Sequence, residues 1–361
     1  MPQGEGPYRI KLKMSGYNAR PYDFCTDLNF SQPGFIVVKP CAGHFPDLGM
    51  HAVDGIQPMG WWGRYRDDSN SMRVGLALTQ AGIQDSAEVE AGVHLEGSSY
   101  GGTGAILQSM MLREVDTWWA DLIAVVNANV PHTLFVKNWK NDPAVNVAWE
   151  GYDRSGADVE TQMAKGNLDN IYYRVNGSPA DTSVIFDIEF FELCQRYEIA
   201  CFGTWHAGGH NAHEAGINMP FYALYAGPDM DVRLDEMLPV FTNSTANHWG
   251  ETRGHYNLGL SWHQGQYFID SEDGVIVPLR YLAHRNIGGE VPDQPNNATF
   301  DLTIRRIENF ATEVGSRVRW QLGNRAWGTA TITKEGEISI KELNLSTSEN
   351  YTSLLITPLN N

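Results

Sequence analysis

The chain has 361 residues, 42% hydrophobic and 19% charged, and its 43 Asp and Glu against 26 Lys and Arg leave a formal charge of −17. That length suits one large or two ordinary domains with ample material for a core, and the composition excludes a disordered chain. The acid excess opposes a basic patch for nucleic acid or an anionic membrane surface, and no apolar run is long enough to cross a bilayer.

The opening residues MPQGEGPYRIKLKM lack the apolar stretch of a signal peptide. Two readings stay open: a cytoplasmic protein, or a secreted or periplasmic one whose export signal has been replaced by Met1. Alternation from Tyr8 to Met14 predicts a strand, and the apolar run Gly34 to Pro40 predicts a fully buried one. It empties into the small-residue loop Cys41-Ala42-Gly43-His44. Ser69 to Gly82 alternates like a strand but has helix-compatible composition, so either element fits. Val93 opens a further strand. Ala105 to Asn127 is helical in character, and His132 to Lys137 reads as a strand. The polar stretch Asn138 to Asn170 has the texture of an insertion or lid. Strand character resumes at Ile171 to Gly177, a helix is expected over Asp187 to Arg196, and a strand over Ile199 to Gly203.

Strands alternating with helices imply an α/β fold, a mostly parallel sheet with helices on both faces. After about residue 255 the texture changes. Phe300 to Ile304, Arg317 to Leu322, Gly328 to Thr333, Ile338 to Ile340 and Ser353 to Ile356 are short strand-like runs separated by turn residues. They predict a C-terminal all-β module of sandwich type. The expected division is residues 1–254 and 255–361.

The most informative run is Val93-His94-Leu95-Glu96-Gly97-Ser98-Ser99-Tyr100-Gly101-Gly102. A strand enters Gly-x-Ser-x-Gly, and small and helix-forming residues follow. That is the pattern of a strained strand-to-helix turn that presents a serine hydroxyl, with Gly97 and Gly101 relieving the crowding around Ser99. A helix starting there aims its positive end at a developing oxyanion. A serine needs a base to take its proton, and an imidazole needs a carboxylate to orient it. Both residue types follow predicted strands: Asp181 in the loop after Val175, and His210 in Gly203-Thr204-Trp205-His206-Ala207-Gly208-Gly209-His210.

Over about residues 35 to 215 the order Ser, Gly-x-x-x-Asp-x-x-Val, Gly-Gly-His resembles the α/β-hydrolase superfamily, especially its esterase and prolyl-peptidase-like branches. The resemblance implies Ser99 as nucleophile, Asp181 as orienting acid and His210 as general base. The oxyanion hole would use the Tyr100 N–H and a second N–H at Cys41 or Ala42. His44, Trp205 and His206 are the candidate substrate-binding residues. Three residues, one more than the commonest spacing, separate Gly177 from Asp181, which keeps Asp187 and Glu189 as further candidates for the acid. His206 and His213 stand close in sequence to His210 as alternative bases.

The resemblance implies a carboxylic ester as the bond cleaved. The appended β-module and aromatic-rich loops suggest an esterified polysaccharide or another polymeric ester, and a small-molecule ester is the other candidate substrate. A serine peptidase and a non-catalytic binding protein on the same scaffold are the rival readings. No cofactor is expected. The histidines at 206, 210 and 213 match no common zinc spacing, so no metal is expected either. Cys25 with Cys41, and Cys194 with Cys201, could pair, and free buried thiols fit equally well.

Overall fold

The computed structural model describes residues 9–14, 35–38, 91–98, 102, 105, 106, 109, 110, 121–129, 158–177, 188–205, 232–264, 267–283, 294–311, 313–324 and 326–359. The chain divides into two units, Met1–Gly177 with Asp181–Phe190, and Ser178–Ala180 with Phe191–Asn361.

In the first unit, strands β1 (Arg9–Met14), β2 (Phe35–Val38), β3 (Val93–Ser98), β4 (Ile123–Asn129) and β5 (Tyr172–Gly177) pair in parallel in the order β2-β1-β3-β4-β5. The period-2 pattern decides what each face carries. Ile10 and Leu12 lie opposite Val93 and Leu95, all buried. The alternate positions, Lys11 and Lys13 opposite His94 and Glu96, form a charged face. There Lys11 Nζ lies 3.0 Å and Lys13 Nζ 3.1 Å from the two Glu96 carboxylate oxygens. The Arg9 guanidinium, which can only donate, bonds to His94 Nε2. Arg9 and Lys11 also sit 5.2 and 4.8 Å from the centroid of the Phe35 ring.

Burial alone would raise the Glu96 pKa, but Lys11 and Lys13 outweigh it and hold the carboxyl below its ordinary value. A depressed folded pKa means stability that is present above the unfolded value and lost as pH falls through the folded one. Wild type should therefore lose its advantage over Glu96→Gln in the acid range, below the ordinary glutamate pKa. Urea unfolding of both proteins from neutral pH downward measures this; parallel pH curves would refute it.

Two expectations are corrected here. The run at 34–40 was expected to be fully buried, yet Phe35, Ile36 and Val37 are only half-buried, because β2 lies at the sheet edge with a neighbour on one side. Helix was expected from Ala105 to Asn127. Helical residues occur at 102, 105, 106, 109, 110 and 121, but strand begins at Ile123. Ile123-Ala124-Val125-Val126 is buried on both faces, which is the signature of an interior parallel strand. The runs at 69–82 and 132–137 lie outside the described residues.

The end of the polar 138–170 stretch is ordered as helix α1 (Val159–Ala164), which buries Val159, Gln162 and Met163. Gly166, at φ 74°, takes the left-handed conformation that ends it. Helix α2 (Glu189–Arg196) follows as expected, and the division into units falls within it.

In the second unit, β6 (Cys201–Trp205) pairs antiparallel with β8 (Gly254–Tyr256). One antiparallel sheet contains β10 (Ile269–Ser271), β11 (Gly274–Tyr281), β16 (Thr352–Pro358), β13 (Arg317–Leu322) and β14 (Ala326–Thr331) in that order, with β9 (Leu260–Trp262) also on β11. A second has β12 (Asn297–Arg305) between β15 (Ile338–Ser346) and β7 (Leu238–Thr242). Each strand expected after residue 300 is present. Strand β11 was not read from the sequence, because Pro278 interrupts its run and proline removes a ladder donor. Phe241 on β7 meets Phe300 at 5.4 Å and Trp262 at 6.1 Å between ring centroids.

Candidate functional site

Strand β3 ends at Ser98, and helical residues begin at Gly102. Gly102, Ala105, Ile106, Ser109 and Met110 follow the i, i+3, i+4, i+7, i+8 spacing of one helix face, and all are buried. The Ser109 hydroxyl lies 2.6 Å from the Ile106 carbonyl oxygen and 2.7 Å from the Tyr173 hydroxyl, fastening this face to β5. Tyr173 is fully buried and its ring meets Phe190 edge-on. The run therefore has strand before it and helix after it.

Strand β3 is also the middle strand of the five, with Gly97 level with Met14 and Ala128 on its two neighbours. Parallel strands bring their carboxyl ends to one sheet edge, where open α/β sheets bind ligands. Cys41, Ala42 and His44 come after the end of β2 in sequence, Ser99 and Tyr100 after β3, and Asp181 after β5. His206 and His210 come after β6. These eight residues lie outside the described ones, as do Asp187, His213 and Cys25. Glu189, the remaining acid candidate, is the first residue of α2 and half-buried.

Trp205 ends β6 and is 2% exposed. Its indole N–H donates to the Gly250 carbonyl at 2.6 Å, and its ring stacks on Phe191 at 5.3 Å. A turn is held behind it by paired backbone bonds between His248 and His255, 3.0 Å each way. Gly254 lets this turn close, since a Cβ there would lie 2.2 Å from the Trp205 ring and 2.3 Å from the His248 carbonyl oxygen. Trp205 is thus a core anchor immediately before His206 in sequence. Trp249, on the same turn and 38% exposed, stands 6.2 Å from Trp205 between ring centroids. Sequence reading missed Trp249, and no motif marks it. The Ser109–Tyr173 fastening was missed too, although Ser109 stands seven residues after Gly102 on the buried stripe.

Cys194 and Cys201 are free and buried. Burial, with Cys194 as hydrogen-bond partner and neighbour, pushes the Cys201 thiol well up, which keeps it protonated and unreactive. Among the described residues no three His, Cys, Asp or Glu side chains cluster as metal ligands, and no helix is long and apolar enough to cross a membrane.

No family model and no curated protein sequence matches the chain. Solved structures do. One is brefeldin A esterase, a bacterial homologue of human hormone-sensitive lipase, with 16% identity and a TM-score of 0.36 over 58% of this chain. The chain spans 63% of the length of that protein. A ferulic acid esterase matches at 17% identity and a TM-score of 0.40, over 62% of this chain and 84% of its own. An esterase from the fungus Rhizomucor miehei matches at 11% identity and a TM-score of 0.33, over 60% of this chain and 71% of its own.

Proposed function

We propose that the chain is a serine hydrolase that cleaves carboxylic esters through an acyl-enzyme. The observation that carries this reading is the local context of Gly97-Ser98-Ser99-Tyr100-Gly101. An interior strand of a parallel sheet runs into it, and a helix face tied to Tyr173 runs out of it. In this reading Ser99 Oγ attacks the ester carbonyl while His210 takes its proton and Asp181 orients the ring. The Tyr100 N–H and that of Cys41 or Ala42 hold the oxyanion. The intermediate collapses as His210 protonates the departing alcohol, and water activated by the same ring releases the acid. His44 and His206 line the substrate, while Trp205 fixes the start of the loop that carries His206 and His210.

The fold in this proposal has helices on both faces of the parallel sheet, a catalytic part within residues 1–254 and an all-β module over 255–361. The antiparallel pairing of the described strands there, and the contact of Trp262 on β9 with Phe241 on β7, the strand paired with β12, support a sandwich. An esterified polysaccharide suits a hydrolase carrying such a module.

A fluorophosphonate probe tests the nucleophile. Ser99 should be the labelled residue, identified by peptide mass, and labelling should stop turnover of short acyl nitrophenyl esters. An unlabelled native protein, or a label on another serine, would defeat the assignment. Faster turnover of aminoacyl anilides than of esters would make it a peptidase.

A further inference from the structure

One face of the six-stranded sheet is open to solvent, and its side chains line up in register. Trp327 on β14 lies opposite Gln321 on β13, which lies opposite Leu355 on β16. Leu355 in turn lies opposite Ile276 on β11, and Ile276 opposite Ile269 on β10. Four inter-strand steps make this row about 19 Å long. Trp327 is 71% exposed, Leu355 39% and Ile269 37%, which places them among the most exposed large apolar side chains described. The alternate residues Val318, Leu322, Leu354 and Ile356 are buried, so the pleat itself separates a core face from an open one.

Polar groups flank the row. Arg319 stacks over the Trp327 ring at 5.7 Å to its centroid, and Arg317 donates to the Thr329 hydroxyl at 3.1 Å. Both arginines are exposed on this face, and none of β13, β14 and β16 contains an Asp or Glu. In a chain of formal charge −17, these three strands form a cationic face.

We infer that this face binds an anionic polysaccharide, one whose sugar rings bear carboxylates. A pyranose ring presents an apolar face to an indole and a rim of hydroxyls to amides and alcohols, which Trp327, Gln321 and Thr329 match. The Arg319 guanidinium, braced against the indole, offers a planar fork to a carboxylate. A row across five strands fits several consecutive sugars rather than one. A second copy of the chain fits poorly: Gln321 divides Trp327 from Leu355, Ile276 and Ile269, and two-fold pairing would bring like-charged arginines together. The inference does not depend on the hydrolase reading.

Affinity electrophoresis of the full chain through gels containing polygalacturonate, alginate, hydroxyethylcellulose or starch tests it. The two anionic polymers should retard the protein, and added salt should weaken the effect. Trp327→Ala and Arg319→Gln should each reduce affinity about tenfold, a loss of about 1.4 kcal/mol. Trp327→Phe should retain most of the binding, and Ser99→Ala all of it, which separates this site from the catalytic one. Both altered side chains are exposed, so unchanged thermal unfolding will confirm intact folds. Unretarded migration in both anionic gels would overturn the inference. So would equal retardation of the variants, equal binding to the neutral polymers, or a Trp327-dependent dimer that binds no polymer.

Discussion

If Ser99 is the nucleophile of the proposed hydrolase, Ser99→Ala should lower kcat/KM on a nitrophenyl ester by about 10⁴-fold or more while leaving the unfolding temperature unchanged. Without the hydroxyl no acyl-enzyme would form in that mechanism, and only oxyanion stabilisation and substrate binding would remain. The same logic makes the site non-additive. His210→Ala should cost about as much as Ser99→Ala, and the double variant little more than either, because the base has no function without its nucleophile. Multiplied losses in the double variant would mean that the two residues act independently, and the shared proton transfer would have to be abandoned. Asp181→Asn discriminates among the acid candidates. It should cost about 10⁴-fold in kcat if Asp181 orients the imidazole, whereas an unchanged rate would shift that role to Asp187 or Glu189.

The second large effect concerns stability in the second unit. A Cβ built on Gly203 would lie 1.9 Å from Cε1 of Phe191, whose ring stacks on Trp205 at 5.3 Å and on Tyr256 at 5.7 Å. Phe191 is fully buried, so its ring cannot step aside without displacing both neighbours. Gly203→Ala should therefore cost about 1–3 kcal/mol of overpacking. Phe191→Ala should cost about 3–5 kcal/mol, mainly through the cavity it leaves. Combining Gly203→Ala with Phe191→Leu should recover part of the first loss, since the smaller side chain makes room for the new methyl. Denaturant unfolding of the two singles and the double reads out the coupling. Strict additivity would show that the ring and the glycine do not share the same space.

The elements legible in the chain were those whose own pattern sufficed. Arg9–Met14 and Tyr172–Gly177 appear close to where their patterns put them, and the strands after residue 300 announce themselves by short alternation between turns. Helix α2 shows as a compact apolar and charged run. Less was legible where surroundings outweighed propensity. Ile123–Asn129 sits inside a longer stretch of helix-like composition and becomes strand because it lies between β3 and β5. Pro278 hides β11, a strand with partners on both sides. Of the candidate site, the strand that ends at Ser98 and the helical residues from Gly102 were legible in the spacing of the sequence, while Ser99, Asp181 and His210 lie outside the described residues.

Local chemistry alone thus determined the kind of those elements whose pattern is self-contained, and the identity of a candidate nucleophile, since periodicity and glycine spacing act over a few residues. Long-range pairing decided the rest. The registers that level Gly97 with Met14 and Ala128, seat Phe191 over Gly203, and align Trp327, Gln321, Leu355, Ile276 and Ile269 in one row join residues far apart in the chain. No single segment carries that information, because a strand's face and its neighbours are settled only when the whole sheet closes on its core.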